Sequence, residues 1–118
     1  MTSDDGFNEA VRLYMEGENG LAFPLLKQHA EAGNPKACFF LALMHLNGEG
    51  VRADDAEYRR WLQRLSELAE GGDPEAQWKI SCNYRWGNHF PLDIDSANFW
   101  LEKAAAGGNA DAQYHLSI

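Results

Sequence analysis

The chain has 118 residues, 45% hydrophobic and 12% aromatic, the make-up of one folded domain with a continuous core rather than a disordered segment. Its formal net charge is −8, a field that repels a phosphate backbone, so nucleic acid is not an expected partner and a basic protein or peptide is favoured. No apolar run reaches the ~20 residues that span a bilayer, and the acidic start Met1-Thr2-Ser3-Asp4-Asp5 is no leader, so no membrane role and a cytoplasmic location are expected.

Residues 1–6 read as a frayed acidic lead-in. From Phe7 to Glu16 the apolar positions Phe7, Ala10, Val11, Tyr14 and Met15 fall at helical spacing. Gly17 ends that helix and Gly20 closes a short turn. A second helix is predicted from about Leu21 to Ala32, with Pro24 in its first turn, where a missing N–H costs little. Gly33 stops it, and Asn34-Pro35 restarts the chain as an N-cap followed by a proline at the first helical position. The same punctuation returns at Gly72-Asp73-Pro74 and, in weaker form, at Gly108-Asn109-Ala110.

The stretch Ala37 to Trp61 is repeated by Ala76 to Trp100, with Leu41 against Ile80, Ala42 against Ser81, His45 against Tyr84, Gly48 against Gly87 and Asp54 against Asp93. The period is 39 residues from Ala37 to Ala76 and 36 from Ala76 to Ala112. Self-similarity at this spacing marks an all-α protein of stacked helix pairs. The three extra residues fall near Leu65–Glu67, in the second helix of the middle repeat (about Asp55 to Glu70), and add close to one turn of ~3.6 residues. Asp54 and Asp93 are predicted to cap the helices after the inner loops. One domain over 1–118 is expected, with repeats at about 5–33, 34–72 and 73–108 and a partial one at 109–118. The last stretch starts another first helix, which either caps the stack or leads into further chain.

No catalytic grouping stands out, so an enzyme is not expected. His29, His45, His89 and His115 form no i, i+4 pair, and neither a metal nor a cofactor site is read. His45 takes a core position and is predicted to be packed and hydrogen-bonded. Cys38 and Cys82 are too few for a disulfide framework and fit a reducing compartment as small core residues. The pairs Asp54/Asp55 and Asp93/Asp95 are read as helix caps. Arg59, Arg60 and Arg64 form a cationic helix face expected to pair with Glu57 and Glu67.

The pattern carried by Ala37, Leu41, Ala42, Gly48, Gly50, Val51, Asp54 and Trp61 resembles the Sel-one-like repeat, a cousin of the tetratricopeptide repeat. So does the next, with Ala76, Ile80, Ser81, Tyr84, Gly87, Asp93, Ala97, Trp100, Ala104 and Ala105. His45 departs from the family's Tyr, Tyr58 from its Ala, and His89-Phe90 from its Gly-Val. The resemblance implies a right-handed α-α superhelix of about three helix-turn-helix repeats plus a terminal helix, with first helices on the concave side. Phe39, Trp78 and Tyr114, each two residues after the repeat's first Ala, would then border a concave groove. Asn8, Arg12, Met15, Leu43, Leu46, Cys82 and Arg85 extend that row. The aromatics are also explained by packing alone.

The helix Ala37 to Leu46 is apolar on nearly every face, so its neighbours leave Leu43 and Leu46 for a partner. The leading expectation is therefore a non-enzymatic adaptor that holds a protein or peptide in the groove. The alternative is a dedicated inhibitor or immunity-type protein that occludes a toxin or enzyme. Homodimerisation through the exposed repeat ends is left open.

Overall fold

The computed structural model describes residues 3–117. Among them lie seven α-helices and no strand. They form three helix pairs and a final helix of the first type, as the repeat spacing predicts. The chain divides into two compact units, one ending at Arg64 and the other starting at Leu65.

The first unit holds α1 (Ser3–Met15), α2 (Asn19–Glu31), α3 (Pro35–Asn47) and the start of α4 (Asp55–Glu70). α1 starts four residues earlier than predicted, so the expected frayed lead-in is helical from Ser3, while Met1 and Thr2 lie outside the described residues. Phe7 explains the extension: it is buried, and its ring meets His29 of α2 edge-on at 5.9 Å and Phe40 of α3 at 6.3 Å. α2 also starts early, at Asn19, which takes Gly20 out of a turn and moves Pro24 beyond the first turn. There the proline deletes one ladder hydrogen bond, a cost of about 3 kcal/mol. Burial of Ala22, Leu26 and Ala30 along one face holds the helix against it.

Each second helix closes in one way. Asn34 N–H donates to His29 O, Asp73 N–H to Leu68 O and Asn109 N–H to Ala104 O, at 3.0, 3.0 and 2.9 Å. The residues before them, Gly33, Gly72 and Gly108, sit at φ 97, 102 and 101°, the left-handed step this closure requires. The next residue then caps the following helix: Ala37 N–H donates to Asn34 Oδ1 at 3.1 Å, Ala76 N–H to Asp73 Oδ1 at 3.3 Å and Ala112 N–H to Asn109 Oδ1 at 2.8 Å. Asn109 thus makes the same cap bond as Asn34, while Asp73 adds a second from Glu75 N–H at 2.9 Å.

In α3 one face buries Ala37, Leu41, Met44 and the adjoining Cys38, Ala42 and His45. Burying a side chain such as Leu41 contributes about 1.5–3 kcal/mol. His45 is packed as expected, edge-on to Phe23 at 5.6 Å, but its Nδ1 finds no hydrogen-bond partner among the described residues. The expectation of a hydrogen-bonded His45 is therefore corrected at that atom. Asp54 accepts from Ala56 N–H at 3.0 Å and starts α4, which runs over the predicted range. Its 16 residues exceed the 13 of α2 by the three inserted ones.

The second unit holds the rest of α4, then α5 (Pro74–Trp86), α6 (Ile94–Ala106) and α7 (Ala110–Ser117). Ser81 Oγ donates to Ala97 O at 2.8 Å, joining α5 to α6 at a buried point. Leu101, Ala104 and Ala112 form a small core shared by α6 and α7, with Trp78 and Ala105 against it. Asp93 accepts from Ser96 N–H at 3.1 Å and caps α6. The second loop keeps the shape of the first even though His89 stands where Gly50 does. His89 takes φ 64° against 70° for Gly50.

A candidate protein-interaction surface

The i, i+4, i+7 spacing places Asn8, Arg12 and Met15 on one face of α1, Phe39, Leu43 and Leu46 on one face of α3, and Trp78, Cys82 and Arg85 on one face of α5. Tyr114 stands on α7.

In the first unit, Tyr14 and Phe40 bring α1 beside α3, their rings 5.3 Å apart. Tyr14 Oη donates to Glu49 Oε1 at 2.8 Å. Partial burial and that carboxylate push the phenol up to about 12, so it stays a donor at neutral pH. Arg12 is not a free cation. Its Nε donates to Glu9 Oε2 at 2.9 Å and its Nη1 to Glu16 Oε2 at 2.7 Å. These bonds raise the arginine pKa and lower that of Glu9. Asn8 is exposed at one end of the row, and the rest of what α1 and α3 leave exposed along it is apolar: Met15 is 72% exposed and Leu46 43%, with Phe39 and Leu43 half-buried. The cationic face of α4 is likewise tied up, Arg59 with Asp55 at 2.9 Å and Arg60 with Glu57 at 3.2 Å. Arg60 thus meets the expected Glu57, and Arg59 adds Asp55, its i, i+4 neighbour on the helix.

In the second unit, Trp78 of α5 meets His115 of α7 with ring centroids 5.0 Å apart, and Tyr114 meets His115 at 6.2 Å. Trp78 is half-buried against the Leu101 core, while Tyr114 is 66% exposed. Cys82 is half-buried. Burial raises its thiol pKa, Lys79 and Arg85 oppose the shift, and Asp111 adds to it more weakly. Arg85 Nη2 donates to the neutral Asn98 Oδ1 at 3.2 Å.

Sequence reasoning missed Phe40, Lys79 and His115. All three stand three residues after the repeat's first Ala, a register that was open to inspection but overshadowed by the aromatic row beside it. It also missed Gln77 and Gln113, whose Nε2 groups donate to Ala69 O and Ala105 O, both at 3.0 Å. Cys38, their counterpart, donates its Sγ–H to Ala30 O at 3.7 Å. Each bond reaches eight residues back and ties a first helix to the end of the helix before it. No group of three His, Cys, Asp or Glu side chains among the described residues could hold a metal ion. None of the described helices is long and apolar enough to cross a membrane.

Helix pairs closed, capped and tied at recurring positions define a helical-repeat protein. The chain belongs to the Sel1 repeat family, whose profile matches residues 35–69 and 74–109. It is 38% identical to a Sel1 repeat protein from Oxalobacter formigenes, over 77% of this chain and 66% of that one, with a TM-score of 0.57. A protective antigen present in uropathogenic Escherichia coli strains, displaying an SLR fold, aligns at 28% identity and TM-score 0.61 over 97% of this chain and 25% of that one. The localization factor PodJL of Caulobacter vibrioides is 41% identical over 58 residues, 48% of this chain and 6% of PodJL. The chain thus matches only a small part of that relative's length. Sel1 repeats generally mediate protein–protein interaction.

Proposed function

We propose that the protein is a non-enzymatic interaction module that holds a partner protein or peptide on the exposed faces of its first helices. The observation that carries this is a contrast within the repeat. Ala37, Ala76 and Ala112 are completely buried, whereas of the aromatics two residues on, Tyr114 is exposed and Phe39 and Trp78 are only half-buried. Large rings kept at a surface are the residue type that dominates binding energy at protein interfaces. The apolar row Met15, Leu43 and Leu46 supports the same use for α1 and α3. An adaptor role in the cytoplasm is the setting that suits such a module. The name of PodJL, a localization factor, agrees with a part that works by being bound.

The test is capture of a partner by the intact chain and by Phe39→Ala and Trp78→Ala. Both variants should lose capture while keeping the helical far-UV signal. Undiminished capture by both would remove these faces from the function.

A further inference from the structure

We propose that the α5–α7 face of the second unit receives a short acidic peptide segment, with one or two carboxylates beside an aromatic or branched aliphatic side chain. This rests on the interaction-module reading and names the chemistry of the partner.

Three observations converge on it. First, Trp78, His115 and Tyr114 make a continuous aromatic strip, with rings at 5.0 and 6.2 Å and its outer member largely exposed. Such a strip takes an apolar side chain. Second, Lys79 and Arg85 lie three residues either side of Cys82, one turn each way along α5, and both act on its thiol. Asp111 opposes them there with a smaller effect than either. Third, Arg85 differs from Arg12, Arg59 and Arg60. Those are held in ion pairs, whereas Arg85 donates to a neutral amide. A carboxylate offered to that guanidinium would form a stronger, charge-assisted bond than Asn98 does.

Background charge sets the size of the ligand. From Leu65 onward the sequence has eight acidic residues and three basic ones, and two of the three are Lys79 and Arg85. A long polyanion laid across such a surface would meet mostly like charge. One or two carboxylates placed at Lys79 and Arg85 would not, because exposed charges beyond ~8–10 Å are screened at physiological salt. The overall charge of −8 favours a basic partner, and this face is where that rule reverses.

The experiment titrates the isotopically labelled full chain with a blocked hexapeptide of glutamate and serine around one phenylalanine. A lysine counterpart and a short single-stranded oligonucleotide serve as alternatives. The glutamate peptide should move the Trp78 indole and the Lys79, Cys82, Arg85 and Tyr114 amide resonances, and its affinity should fall with added salt. Arg85→Gln and Lys79→Gln should each weaken it roughly ten-fold, the loss of one charge-assisted bond. Arg85→Lys should recover part of the loss. The proposal is overturned if the glutamate peptide leaves these resonances unmoved at millimolar concentration. It is equally overturned if the lysine peptide or the oligonucleotide moves them more. Partner capture that still depends on Phe39 and Trp78 would then leave the module standing with a different partner chemistry.

Discussion

His89 holds a backbone conformation that its side chain disfavours, φ 64°, at the place where the preceding repeat has Gly50. The left-handed region costs a non-glycine residue about 1–2 kcal/mol, and glycine returns about 0.4–1 kcal/mol of that as unfolded-state entropy. His89→Gly should therefore be more stable than His89→Ala, which loses the same imidazole but keeps the left-handed cost, by roughly 0.5–1 kcal/mol, read as a higher urea midpoint. The reverse change at Gly50 differs in kind. A Cβ there would lie 2.5 Å from Asn19 O, so Gly50→Ala should destabilise by about 2–4 kcal/mol in the same assay. Asn83 offers a second test. It stands in the register of the fully buried Met44, and its buried Nδ2 finds no partner among the described residues. Asn83→Met should raise stability by about 1–2 kcal/mol, because it removes an unpaired buried donor and restores apolar volume.

Acid sensitivity belongs to the same scale. The Ser96 N–H, with help from the Ser96 hydroxyl and the Asp95 backbone, holds Asp93 below its ordinary carboxylate pKa. A carboxyl lowered on folding contributes stability that is complete above its unfolded pKa of ~3.9 and is lost as pH falls through the lower folded value. Asp93→Ala should therefore lower stability at neutral pH and flatten its decline between about pH 5 and pH 2. An unchanged acid limb in denaturation curves would show that this cap carries no such linkage.

At the scale of elements, the sequence made the junctions legible. Gly33-Asn34-Pro35 and its two echoes carry their own stop and start chemistry, and the helices begin and end there as read. Tertiary contacts decided the misread ends. Phe7 draws α1 back to Ser3, and the buried row of α2 carries Pro24 through the helix interior. The candidate surface was half legible. Rows at i, i+4, i+7 reveal a helix face, but nothing in that spacing says that Arg12 is held by carboxylates while Arg85 donates to a neutral amide. Nor did the sequence mark the bonds made by Gln77 and Gln113, since glutamine has no preferred place in a helix. Gln77→Ala should cost about 0.5–1.5 kcal/mol by removing the side-chain bond to Ala69 O, which keeps its bond from Gly72 N–H, as measured by thermal or urea unfolding.

At the scale of the molecule, a stacked array buries its apolar faces only against neighbours. Leu116 is 50% exposed, whereas its register mates Leu41 and Ile80 are 0% and 2% exposed. The difference follows from pairing: α3 and α5 each have a second helix after them, and none of the described residues follows α7 with one. Internal first helices thus spend one face on their own pair, and the proposed function assigns another to a partner. That division of faces is the central claim. Photocrosslinking tests it most directly, with a reactive side chain placed in turn at Phe39, Trp78 and Tyr114 on first helices and at Phe99 and Glu102 on α6. The account predicts partner adducts from the first three positions and none from the last two. Adducts from Phe99 and Glu102 alone would contradict it.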